Sequence, residues 1–150
     1  MMNIFSNGGR TERISRLAYW VAAWLFLTGI VVQVFLAGMV VVAFRMSWLN
    51  HISLGHSLAL PLLAMLLTAY LGRFPAWLKR LTWLLFAAYV LQADVVIFLR
   101  SQAPVIAALH PVLALVDFAL GLALARGAWS LSRQGPAPSV RPNLEMSAPN

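Results

Sequence analysis

Residues 90–125 read VLQADVVIFLRSQAPVIAALHPVLALVDFALGLALA, an apolar run that nevertheless carries Gln92, Asp94, His110 and Asp117. Polar and ionisable side chains are expensive in a low-dielectric apolar setting, so the few present carry most of the information. His110 has a counterpart earlier in the chain. An offset of 59 residues superimposes Trp24 on Trp83, Leu25 on Leu84, Val31 on Val90, Gln33 on Gln92, His51 on His110 and Leu63 on Leu122. Aliphatic identities are cheap in a sequence this rich in Leu, Val and Ala. The Trp, Gln and His identities at one common offset point to a duplicated hairpin in which Gln-x17-His occurs twice.

Composition sets the class. The chain has 150 residues, 61% of them hydrophobic and 10% charged, with a mean hydropathy of +0.81. Soluble domains carry roughly 25% charged residues, so the sequence reads as an integral membrane protein whose first partner is the lipid bilayer. The absence of cysteine excludes disulfides, thiolate metal sites, iron–sulfur clusters and covalently attached c-type haem. The net charge of +7 is a topology signal rather than a nucleic-acid footprint, because the bases flank apolar segments.

Four apolar segments are expected at about 17–44, 48–72, 77–99 and 104–126, making an all-α, up-down-up-down transmembrane domain over 17–126, built as two tandem hairpins. Residues 1–16 form a basic lead-in with Arg10, Arg13 and Arg16 at a spacing of three, and 127–150, rich in proline toward its end, reads as a disordered tail. The uncharged run over 17–44 is about twice as long as the apolar region of a signal peptide, which favours a span over a cleaved leader. Pro61 should kink the second helix, and Gly72-Arg73-Phe74-Pro75 should end it. Nine of the eleven bases lie before the first segment, between the second and third, or after the fourth; only Arg45 and Arg100 fall at the opposite ends. By the positive-inside rule both termini are cytoplasmic in a multi-pass protein of the bacterial inner membrane.

On this topology His51 and His110 enter the membrane from the same, outer, side. Two imidazoles facing each other there can supply both axial ligands of a haem iron, with aliphatic side chains walling the porphyrin. Arg45 and Arg100 are placed to meet its propionates. His56, about 140° round the helix from His51 and about 7 Å deeper, is the competing mate for His110. Gln33 and Gln92 read as interhelical hydrogen bonds or contacts to a cofactor. Asp94 and Asp117 read as members of a proton relay, as groups orienting a ligand histidine, or as neutral acids bonded across helices.

Gln33-Val-Phe-Leu-Ala-Gly38, His51-Ile-Ser-Leu-Gly-His56, Gln92 and Leu109-His110-Pro111 resemble small four-helix bacterial membrane proteins of uncharacterised function, over about residues 17–126. More loosely, Gln92, His110 and Ala114 are similar to the haem-binding four-helix half of haem A synthase. That similarity implies b-type haem on His110 and on His51 or His56; it does not imply haem A synthesis, because the chain is one half-module long. Two functions follow as expectations: an electron carrier with bis-histidine haem b, linked to quinone or to another membrane redox protein, and a cofactor-free accessory subunit of a larger complex or oligomer. A transporter is weaker, since Pro61 is the one mid-helix breaker. No serine or histidine has the context of a hydrolytic nucleophile, so a stand-alone enzyme is the less favoured class.

Overall fold

The computed structural model describes residues 5–133, which form helices joined by short connections, with no strand among them. Four long helices result: α1 (Phe5–Val41), α2 (Trp48–Leu71), α3 (Ala76–Ser101) and α4 (Pro104–Arg133). Each contains a stretch long and apolar enough to cross a membrane. Helix α1 runs without a break through the basic segment, where Glu12 and Arg16 form an ion pair one turn apart at 2.6 Å. At the other end, residues 127–133 of the expected tail continue α4 as helix; 134–150 lie outside the described residues. Packing accounts for the extension, since Trp129 meets Trp20 at 5.2 Å and Arg133 lies over the Trp129 ring at 5.1 Å.

The other three helices are interrupted, and the interruptions follow from sequence. Pro61 cannot donate to the carbonyl of Ser57, and α2 yields there: Leu58 divides it, its amide shared between the carbonyls of Leu54 and Gly55 at 3.2 Å each. Pro111 deprives the carbonyl of Ala107 in the same way, and the turn at Ala108–Leu109 tightens, with the Leu109 amide on the Ile106 carbonyl at 3.0 Å. In α3 the ladder widens into a single π turn over Leu91–Val95, then closes as Val96–Phe98 and a 3₁₀ turn, Leu99–Ser101. Such π turns mark functional positions often enough to direct attention to this one.

The 59-residue offset reappears in the core. Tyr19 and Leu78, Phe26 and Leu85, Ile30 and Tyr89, Leu58 and Asp117, Met65 and Leu124, and Ala69 and Ala128 are all buried. The two hairpins therefore present the same register of positions to a common interior. Around it, large apolar side chains such as Val34, Leu60, Leu67 and Leu115 point outward, in keeping with four helices long and apolar enough to cross a membrane.

Close approach between helices depends on glycine. A Cβ on Gly127 would fall 2.7 Å from the Trp77 ring, and one on Gly121 would fall 3.1 Å from Leu27. In the turn between α2 and α3 the left-handed conformation belongs to Arg73, with φ 51°, rather than to Gly72. Gly72 is needed for space: a Cβ there would sit 2.9 Å from the Thr68 carbonyl and 3.2 Å from Arg16. The Gly72 carbonyl accepts from the Arg16 guanidinium at 3.0 Å, fastening α1 to the end of α2.

Candidate functional site

The two histidines predicted to converge do so. His51 near the start of α2 and His110 near the start of α4 face each other with ring centroids 6.1 Å apart and planes inclined by 65°. Both rings are half-buried. The same bond orients each: His51 Nδ1 lies 3.1 Å from the backbone carbonyl of Gln33, and His110 Nδ1 lies 3.0 Å from that of Gln92. A carbonyl oxygen can only accept, so Nδ1 carries a hydrogen in both rings, and in the neutral form of each ring Nε2 holds the lone pair. Trp48 packs edge-on against His51 at 5.6 Å and limits its rotation.

The repeated Gln-x17-His spacing thus corresponds to a repeated structure, although the bond is made by the main chain of Gln33 and Gln92 rather than by their amides. The Gln33 side chain lies against Gly55, where a Cβ would clash with its Nε2, and its Oε1 is buried without a hydrogen-bond partner. Nothing in the structure explains why position 92 carries glutamine.

His56 is not brought to this pair. Its Nδ1 donates to the Ile52 carbonyl at 2.9 Å, and its Nε2 comes within 3.7 Å of Asp94 Oδ1. Both side chains are largely exposed, at 64% and 54%, on the outward surface of α2 and α3. Asp94 belongs to the π turn, two residues beyond the carbonyl that holds His110. Arg45 and Arg100 are exposed at one end of the helices and form no ion pair among the described residues.

Asp117 is the opposite case. It is 1% exposed, and neither carboxyl oxygen has a hydrogen-bond partner. Its counterpart at the 59-residue offset is Leu58, so it occupies an apolar core position. A charge there would be unpaired and would cost a few kcal/mol.

Three polar ties were not foreseen from sequence. The Thr82 hydroxyl donates to the Leu78 carbonyl at 2.8 Å, which leaves the Tyr19 hydroxyl to donate to Thr82 Oγ1 at 2.7 Å inside the core. Tyr89 donates to the Gly55 carbonyl at 2.7 Å, joining α3 to α2 beside the Leu58 break. The third is the approach of His56 to Asp94. All three involve residues whose partners at the offset are of a different kind: Leu78, Ala23, Ile30, Leu115 and Phe35 stand for Tyr19, Thr82, Tyr89, His56 and Asp94. Departure from the repeat was the available signal.

Residues 33–96 match a family of unknown function (DUF6220). The matched region begins at Gln33 and takes in His51, His56, Gln92 and Asp94, but stops short of His110 and Asp117. This agrees with the resemblance to small helical proteins of uncharacterised function. No curated protein and no solved structure matches the chain, so the similarity to haem A synthase is not shown.

Proposed function

We propose that this chain is a membrane electron carrier that holds b-type haem between His51 and His110. The observation that carries the reading is the matched pair of Nδ1 bonds to Gln33 and Gln92. Ligand histidines commonly donate their second ring nitrogen to a carbonyl, which fixes the tautomer and aims the other nitrogen at the metal. Two iron–nitrogen bonds of about 2 Å, with about 1.1 Å from each nitrogen to its ring centre, place the centroids of an axial pair about 6 Å apart. The separation here is 6.1 Å. Ordinary ring contacts span about 4.5–7 Å, so the distance permits ligation and the duplicated Nδ1 bonds are what favour it. Among the described residues no cluster of three or more His, Asp or Glu could hold a bare metal ion, whereas haem iron needs only two protein ligands because the porphyrin supplies four.

In this reading the helices alternate in direction across the bacterial inner membrane, with both termini cytoplasmic, as the distribution of basic residues requires. The histidine pair then lies toward the outer face, and Arg45 and Arg100 stand at that face as counterions for carboxylates. The iron would supply one-electron chemistry; the protein would supply two imidazoles, each fixed by its Nδ1 bond. Absorption spectra of detergent-purified protein, oxidised and then reduced with dithionite, test the proposal. A Soret band that sharpens and shifts on reduction is expected. Colourless protein that takes up no added haemin would leave the accessory-subunit reading in its place.

A further inference from the structure

The surface between α2 and α3 carries a feature that helix packing does not require. His56 and Asp94 both point outward from apolar helices, at 64% and 54% exposure. They line an open groove of about 530 Å³ whose other walls are Ala93, Val95, Ile97 and Phe98. Counting 1.5 Å per residue, His56 lies about 12 Å inside the start of α2 and Asp94 about 10 Å inside the end of α3. In a hydrocarbon layer of about 30 Å, that depth is below the head groups. An ionisable pair so placed is costly when it faces lipid.

The molecule provides its own comparison. The positions equivalent to His56 and Asp94 in the other hairpins are Leu115 and Phe35, both apolar and exposed, at 69% and 61%. The fold is thus content with aliphatic and aromatic groups at these positions, and the polar pair is an addition on one side only.

We propose that this groove binds the head group of a membrane-soluble quinol. With Nδ1 donating to the Ile52 carbonyl, His56 turns Nε2 toward the Asp94 carboxyl 3.7 Å away, and a pair with no net charge holds one hydrogen between those two atoms. One side therefore donates and the other accepts. A hydroxyl oxygen about 2.8 Å from each accepts from the first and gives its own hydrogen to the second, whereas a carbonyl can only accept, which selects the hydroxyl-bearing quinol over the quinone. A flat ring with an isoprenoid tail reaches this open, largely apolar groove through the bilayer. Phospholipid head groups remain too shallow to reach the pair. The π turn supplies Asp94 to the groove and the Gln92 carbonyl to His110, so the groove and the histidine pair share one turn of α3. The inference rests on the electron-carrier reading for its purpose but not for its test.

The test is photolabelling of the full chain in lipid nanodiscs with an azide-bearing benzoquinol of short tail, followed by peptide mapping. Protein is labelled both as purified and after haemin is added. Adducts are expected at His56 and within 93–98, competed away by unlabelled quinol, while the Phe35 and Leu115 face stays at background. The variant His56→Leu with Asp94→Phe copies the apolar face and should lose at least about tenfold of the groove labelling with unchanged far-UV circular dichroism. If Asp94→Phe perturbs the fold, His56→Leu with Asp94→Asn is read in its place. Equal labelling of the two faces, or labelling that survives the substitutions, would overturn the proposal, as would a second copy of the chain cross-linking over the groove. Groove labelling of colourless protein supports the site and removes the electron-carrier reading; haem-loaded protein with an unlabelled groove does the reverse.

Discussion

The first hairpin, α1 with α2, and the second, α3 with α4, solve one packing problem with different side chains. Where the first uses Leu58 in the core the second uses Asp117, and where the first exposes Phe35 the second exposes Asp94. Across the interior, Tyr19 bonds to Thr82, while the equivalent positions Leu78 and Ala23 hold only apolar groups. A polar contact left unchanged between halves is the histidine bonded to a glutamine carbonyl eighteen residues earlier. The Tyr19–Thr82, Tyr89–Gly55 and His56–Asp94 contacts have no counterpart at the offset, so the histidine bond is a tie that the two halves share where these others differ.

That comparison can be broken in order of expected effect. His51→Ala and His110→Ala should each abolish the visible absorption of the haem, to the same degree, whereas His56→Ala should leave it intact; spectra of the three purified variants decide this. Retention of the spectrum in either of the first two would separate the halves. Gly29→Val places side-chain atoms where Leu58 already lies, and overpacking should lower stability by about 1–3 kcal/mol, read from thermal unfolding in detergent. Its equivalent is Ala88, opposite the smaller Asp117 by the repeat. Replacing Asp117→Leu together with Ala88→Gly would therefore rebuild the first hairpin's arrangement in the second. Removing two unpartnered carboxyl oxygens from the core should raise stability by about 1–3 kcal/mol, and a fall in melting temperature would mean that the acid has a partner or a task. Smallest is Tyr19→Phe, costing about 1 kcal/mol, since Thr82 keeps its bond to Leu78.

Much of this was legible because long apolar helices are constrained by length and hydropathy, and because two hairpins of one pattern reveal each other. The number of helices and the convergence of His51 with His110 follow from those facts, and the break before Pro61 follows from its missing amide hydrogen. The choice between His51 and His56 as mate for His110 was open, since depth argued for one and the repeat for the other. Geometry brings His51 to the ring of His110 and turns His56 to Asp94. The π turn was not legible: nothing in Leu91-Gln-Ala-Asp-Val95 forbids an ordinary helix, although one of its carbonyls, that of Gln92, accepts from the His110 ring. Nor could composition reveal that a backbone carbonyl, common to every residue, would orient each imidazole. The continuation of α4 past Ala125 goes with Trp129 meeting Trp20 and Gly127 lying against Trp77, a tertiary effect that a reading of Trp as an interface anchor passes over.

Electron paramagnetic resonance of the ferric protein, recorded at low temperature after haemin is supplied, addresses most directly whether two ring nitrogens share one iron. Two axial imidazoles should give a low-spin signal in the native chain, converted to high spin when either His51 or His110 is replaced by alanine. A high-spin signal from the native chain, or iron that washes off with no signal retained, would contradict the paired-histidine account.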